Sequence, residues 1–419
     1  MKTAKLLLLI AAATLAVACT NKKEKMHCRI EGTVPDSTYT MMLLAPFGSD
    51  LRVDACDSIP VVDGKFAFDL YVDEITPYEL ISMEEHDRGV WFTCDFFAEE
   101  GTVNATFYHF EKENKGPTLK SESPTNKHFL QYNSVQNSII DPLEEEGDSL
   151  DRNGLRYSPR AIELEELFYA AKDNATKYKV QQEMNALVES GEAFTPEYLA
   201  YQEKYEKAIE KCKKHTDDFI RSDRSLVGLY ILQRQAMYSH NSTKDSLFIA
   251  LFNEVYQPLF PNHSMSKKME TWVQSRGIVV GGRYIDFTAP ALDGTPHTLS
   301  KEIAGKIALI DLWASWCGPC RRTSMSMIPI YEAYKDRGFT IVGVARENNS
   351  EDMKLAIEKD GYPWLNLLEL KDENKIWEKY GAGNSGGRTV LVNSNGTILA
   401  VSPTAAEVEE ILQKMLGCK

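Results

Sequence analysis

Two cysteines separated by a glycine and a proline, Cys317-Gly318-Pro319-Cys320, are the residues of this chain best suited to chemistry. They follow the buried strand run Ile307 to Trp313 and precede the helix-forming stretch Arg321 to Lys335. The pair is therefore expected where a buried strand passes into a helix. Unpaired backbone N–H groups and the helix dipole at that point favour an anion. A thiolate is the nucleophile of disulfide exchange, so this placement makes Cys317 the attacking sulfur. Cys320, one helical turn along, is in reach to resolve the mixed disulfide. Gly318 permits the tight turn, and Pro319 starts the helix with a fixed φ and no orphan N–H. Structural zinc would want a second pair of ligands. The sequence has no other Cys-x-x-Cys and no His-rich segment, so no metal is expected.

The elements that must position this pair alternate along the last third of the chain. Phe339 to Ala345 reads as a second strand, and Glu351 to Glu358 and Lys371 to Tyr380 as helices. Thr389 to Val392 and Thr397 to Val401 form a hairpin around Asn393-Ser-Asn-Gly396. Val408, Ile411, Leu412 and Met415 mark one face of a closing helix. The order predicts a mixed sheet with helices on both faces over residues 283–419. Gly277, Gly281 and Gly282 read as a hinge into it.

These residues resemble the TlpA/ResA-like branch of the thioredoxin superfamily. The resemblance spans about Gly282 to Leu416 and is carried by Phe287-Thr-Ala-Pro-Ala-Leu-Asp-Gly294, Gly305 to Cys320, Gly338-Phe-Thr-Ile-Val-Gly-Val344 and Leu391-Val-Asn-Ser-Asn-Gly396. It implies a thioredoxin-like α/β/α domain and exported, membrane-tethered thiol–disulfide exchange, more as a reductant fed by a membrane electron donor than as an oxidant. No cofactor is implied beyond the redox-active Cys317–Cys320 disulfide. Asp311 stands where the family keeps a buried acid that exchanges a proton with the resolving thiol. Trp313 and Trp316 match its aromatic pair flanking the site. Glu347 falls one residue from where this branch places a second acid. Two departures stand out. Gly387 occupies the place of the family's cis-proline, with Arg388 beside it as a candidate substrate contact. Thr323 to Pro329 replaces the usual Glu-x-Pro after the second cysteine, which moves any helix kink toward Pro329.

The chain has 419 residues, enough for two or three domains. Residues 26–115 read as short strands, including Arg29 to Val34, Tyr39 to Ala45, Val90 to Phe97 and Thr102 to Phe107, with a hairpin turn at Asp63-Gly64. Residues 124–276 read as helical, with a flexible acidic loop from Asp141 to Asp151 around Pro142 and Gly147. The fold class is thus a multidomain α+β chain: a small N-terminal β-sandwich or barrel, a helical middle and the thioredoxin-like domain. The first two regions loosely resemble the accessory domains that Bacteroidetes lipoproteins carry ahead of such a domain.

A net charge of −14 argues against nucleic acid as a partner. Lys2, Lys5 and the apolar run Leu6 to Val17 form an export signal over residues 1–18, too short to span a membrane as a mature helix. Cys19 at the cleavage point fits lipidation, which would make the protein an envelope lipoprotein facing the periplasm, its partners protein thiols and disulfides there. Cys28, Cys56, Cys94, Cys212 and Cys418 read as buried small hydrophobes. Two other functions compete. A peroxidase of the peroxiredoxin class would need Thr three residues before the reactive cysteine, where Ala314 stands. Alternatively, the long N-terminal regions bind an envelope ligand or partner and the redox domain is an accessory.

Overall fold

The computed structural model describes residues 24–35, 38–51, 54–89, 92–108, 115–239, 242–383 and 386–417. The signal over 1–18, Cys19 and Cys418 lie outside them. Among the described residues, no helix is long and apolar enough to cross a membrane.

The N-terminal strands are β1 (Met26–Thr33), β2 (Met41–Pro46), β3 (Asp57–Pro60), β4 (Lys65–Val72), β5 (Thr76–Ser82), β6 (Cys94–Ala98), β7 (Gly101–Thr106) and β8 (Thr118–Ser121). They form two four-stranded sheets, β4-β1-β7-β8 and β3-β2-β5-β6. Ile30, Phe66 and Val103 of the first sheet and Met42, Ile59 and Phe96 of the second share one core. The expected hairpin turn at Asp63-Gly64 exists, both residues at positive φ and Val62 and Lys65 exchanging backbone hydrogen bonds, and from it β3 runs into one sheet with β2 and β4 into the other with β1. Two expectations need correction. The strand expected from Val90 starts at Cys94, after the helical turn Met83–Asp87. And β8 pairs with β7, so the β-region runs past residue 115.

The middle region holds α1 (Pro124–Arg152), α2 (Pro159–Ala170), α3 (Asn174–Ser190), α4 (Pro196–Ser222), α5 (Leu226–Met237), α6 (Ser242–Leu251) and α7 (Ser264–Ser275). The acidic segment expected to be a loop is the last part of α1, which runs through Pro142. Packing on α4 overrides the local breakers. Gly147 leaves room for Tyr201, whose hydroxyl would lie 2.6 Å from a Cβ there, and Lys204 pairs with Glu146 at 2.6 Å. Phe47 and Phe97 of the sandwich meet Tyr230 of α5 with ring centroids 4.9 and 5.4 Å apart, which fuses the two regions into one apolar contact.

The last region opens with the small hairpin β9 (Thr288–Pro290) and β10 (Pro296–Thr298). A five-stranded sheet follows in the order β13-β12-β11-β14-β15, made of β11 (Ile307–Trp313), β12 (Phe339–Glu347), β13 (Leu365–Leu370), β14 (Arg388–Val392) and β15 (Ile398–Val401). The first three are parallel and the last two antiparallel to their neighbours. All seven residues of β11 are buried at the centre of a covered sheet, six of them apolar and the seventh Asp311. The helices are α8 (Gly318–Tyr334), α9 (Ser350–Asp360) and α10 (Ala405–Leu416). Val408 and Leu412 of α10 are fully buried, but Met415 is exposed. The helix expected over Lys371 to Tyr380 shrinks to Ile376–Lys379, because Lys371, Asp372 and Lys375 take positive φ. The glycine segment 277–282 is hydrogen-bonded to the last domain. Gly281 N–H bonds the Ile398 carbonyl at 2.9 Å, and Ile398 N–H bonds the Gly282 carbonyl at 2.8 Å, which ties the segment to β15. A second tie is ionic. Arg346 at the end of β12 donates to Asp50 of the sandwich at 2.9 Å and to Asp372 at 3.1 Å, all three buried.

Candidate active site

Strand β11 ends in the fully buried Trp313, whose indole N–H donates to Asn366 of β13 at 3.0 Å and whose ring meets Tyr362 edge-on at 5.0 Å. This anchors the loop that carries the cysteines. Glu347 holds the same loop from β12, accepting the backbone N–H and, at 2.7 Å, the hydroxyl of Ser315. Burial, the largest influence, raises the Glu347 pKa against these two donors. The acid is thus occupied in fixing the loop that leads to Cys317. Trp316 is exposed on the rim, 6.1 Å from Trp377 between ring centroids.

Cys317 is the N-cap of α8, and it is joined to Cys320 by a disulfide. The Cys320 N–H points at the Cys317 sulfur at 3.3 Å. An N-cap side chain normally supplies an oxygen to such a donor; here a sulfur takes that place, and a thiolate would accept more strongly. Gly318 and Pro319 form the first turn, and the helix continues through Pro329 without a break.

Gly387 lies on the other side of the disulfide. Its N–H donates to the Cys320 sulfur at 3.1 Å. A Cβ at this position would stand 1.9 Å from the Leu312 carbonyl oxygen and 2.8 Å from the Cys320 sulfur. The backbone can approach the sulfur this closely only as glycine. A proline in the same place would have no N–H to give. No cis peptide bond occurs among the described residues. Arg388 lines the groove beside the disulfide but sends its guanidinium to the Tyr380 carbonyl at 2.8 Å. Burial, then Arg276 of the helical region, lowers its pKa. It thereby braces the short helix Ile376–Lys379 from the wall of the groove. The groove has a volume of about 590 Å³ and reaches both cysteines, Asp311, Arg322 and the Ser402–Ala405 turn.

Asp311 sits beneath the disulfide, 2 % exposed. Burial pushes its carboxyl up to about 7, against the pull of the Ser324 hydroxyl that donates to it at 2.6 Å. Sequence reading missed Ser324, although its position four residues after Cys320 puts it on the same helical face. It also missed the lock on the far side of Ser324. Arg321 grips Asp360 through two bonds of 2.6 Å, and the Tyr362 hydroxyl donates to Asp360 at 2.8 Å. Of the remaining cysteines, Cys28 and Cys94 are buried as expected, while Cys56 is exposed and Cys212 half-buried.

A sheet of this order, with a Cys-Gly-Pro-Cys disulfide at the start of the helix that follows its central strand, defines a thioredoxin-fold redox domain. Residues 280–401 match the model of the AhpC/TSA family. The thiol–disulfide oxidoreductase ResA of Geobacillus thermodenitrificans is 25 % identical over 150 residues, covering 35 % of this chain and 83 % of that protein. The thiol:disulfide interchange protein DsbE of Allochromatium vinosum is 28 % identical over 133 residues, covering 30 % and 70 %. A crystal structure of the thioredoxin domain of a Bacteroides vulgatus thiol–disulfide oxidoreductase is 31 % identical and covers 33 % of this chain and 98 % of that one, with a TM-score of 0.31. The chain carries a thioredoxin-like domain of the thiol–disulfide oxidoreductase kind.

Proposed function

We propose that this protein is an exported, lipid-anchored oxidoreductase that reduces disulfides of proteins in the cell envelope. The observation that carries the reading is the Cys317–Cys320 disulfide at a helix N-terminus, flanked by an open groove and underlain by a buried acid. In the reduced chain, the Cys317 thiolate attacks one sulfur of a substrate disulfide. A bond forms between Cys317 and that sulfur, and the other substrate sulfur leaves as a thiolate. Cys320 gives its proton to Asp311 and attacks the Cys317 sulfur, which forms the intramolecular disulfide and releases the second substrate thiolate. The substrate gains two electrons and the protein loses two. A membrane electron donor then returns them, and no cofactor beyond the cysteine pair takes part.

Helix N-cap donors favour the Cys317 thiolate, and Gly387 N–H offers the same support to Cys320. Trp313, Glu347 and Ser315 hold the loop, and Gly318 and Pro319 shape the turn. Lipid anchoring at Cys19 and export rest on the sequence of residues 1–19 alone. The reductant direction is tested by equilibrating the protein in glutathione buffers. A reduction potential near about −250 mV or below supports it, and a value well above about −200 mV turns the protein into an oxidant or isomerase.

A further inference from the structure

The buried acid beneath the disulfide can act as a base only if its surroundings tolerate both of its charge states. Burying a charged carboxylate, or leaving a buried donor unpaired, each carries a penalty. The Ser324 hydroxyl meets this requirement. It is fully buried and stands 2.6 Å from Asp311 and 3.1 Å from the Cys320 carbonyl oxygen. A serine hydroxyl has one proton to donate and lone pairs to accept. Asp311, the Cys320 carbonyl and the Tyr362 hydroxyl oxygen therefore compete for one hydrogen.

When Asp311 is charged, Ser324 donates to it. When Asp311 holds a proton, that proton is donated to the Ser324 oxygen and the serine hydrogen turns to the Cys320 carbonyl. No polar atom is stranded in either state. We propose that Ser324 is a positioning residue for the resolving step, its hydroxyl reversing direction as Asp311 takes the proton of Cys320. The inference rests on the exchange reading given above. The step balances. The Cys320 S–H bond breaks and an Asp311 O–H bond forms; the Cys320–Cys317 bond then forms as the bond from Cys317 to the substrate sulfur breaks.

The rest of the surroundings leaves this task to Ser324. The titratable and charged groups around Asp311 are Cys317, Cys320 and Arg322 from α8, Arg388 from β14 and Tyr362 from the segment between α9 and β13. Arg388 is bonded to Tyr380, and Arg322 is exposed to solvent. Tyr362, which faces Ser324 and can accept from it, gives its own hydrogen to Asp360 and is held well above its ordinary pKa, by burial first and by Asp360 second.

The test separates the two chemical steps. Reduced protein mixed with Ellman's reagent releases one thionitrobenzoate when Cys317 attacks and a second when Cys320 resolves. The pH dependence of each phase is measured for the wild type, Ser324→Ala and Ser324→Thr. Loss of the hydroxyl donor raises the Asp311 pKa, so Ser324→Ala should move the midpoint of the second phase up by about one pH unit, about tenfold in the proton equilibrium. The first phase should keep its midpoint, and threonine should restore the second. An unchanged second midpoint in Ser324→Ala, or equal slowing of both phases without rescue by threonine, overturns the inference alone. A wild type without a second release overturns the exchange reading and this inference with it.

Discussion

Asp372 and Asp311 are both shut away from water, at 1 % and 2 % exposure, in neighbouring parts of one domain. Asp372 meets the Arg346 guanidinium at 3.1 Å, and Arg346 reaches on to Asp50 of the sandwich at 2.9 Å. Asp311 meets only a hydroxyl among the described residues. The difference lies in compensation. A buried acid paired with a guanidinium stays charged and fastens two regions together. A buried acid without a cation has its pKa raised toward neutrality, where it can take and return a proton. The same contrast separates an interface built to stay shut from a site built to turn over.

The comparison breaks most visibly at Arg346. Arg346→Ala would take the guanidinium from two buried carboxylates, with Lys375 still 3.7 Å from Asp372, and should cost about 3–5 kcal/mol, measured by urea unfolding. A loss below about 1 kcal/mol would mean that water or rearrangement compensates these acids, and that the contrast with Asp311 is false.

Asp311 should respond in the opposite direction. Its carboxyl titrates near the ordinary 3.8 when unfolded and near 7 when folded. Between those values the folded chain keeps a proton that the unfolded chain has released. The stability this supplies is full below about pH 3.8, declines as pH rises, and is gone above about pH 7. Asp311→Asn should therefore stabilise the oxidised protein at pH 8 by about 2–4 kcal/mol while slowing exchange about a hundredfold. Destabilisation at pH 8 would show that the carboxylate is compensated after all.

Gly387→Ala sharpens the picture at the opposite wall of the site. With its Cβ 1.9 Å from the Leu312 oxygen, the loop must move and the N–H bond to Cys320 must lengthen. A stability loss of about 1–3 kcal/mol is expected, together with a shift of the reduction potential. An unchanged potential would show that the N–H contact has no influence on the sulfur. The smallest effect belongs to α3, which has no buried residue and exposes Tyr178 by 66 %. Tyr178→Ala should change stability by no more than about 0.5 kcal/mol and leave exchange unaltered.

What was legible in the sequence follows the same physics. Strand β11 is apolar at every position but Asp311, and a Gly-Pro between cysteines announces a helix start, so both were read to the residue or nearly so. Strand β13 was missed because Asn366 and Glu369 interrupt its apolar pattern. Both are buried because they have partners: Asn366 accepts from Trp313 on another strand, and Glu369 bonds Asn374. The end of α1 was misread because Pro142 and Gly147 are breakers in isolation, and only Tyr201, far along the chain, makes the glycine useful. Arg346 and Asp50 are 296 residues apart, so no local pattern could pair them. Ser324 was the one functional residue with an available signal, its i+4 spacing from Cys320. Gly387 was noticed as a substitution for proline, but its N–H bond to the sulfur needed coordinates.

The central claim is that Cys317 attacks and Cys320 resolves. The most direct measurement is to mix reduced Cys320→Ser and Cys317→Ser proteins separately with an oxidised protein substrate and locate the adducts by mass spectrometry. The account predicts that Cys320→Ser accumulates a mixed disulfide through Cys317 and that Cys317→Ser accumulates none. An adduct through Cys320 in the Cys317→Ser protein, with none in Cys320→Ser, would contradict it.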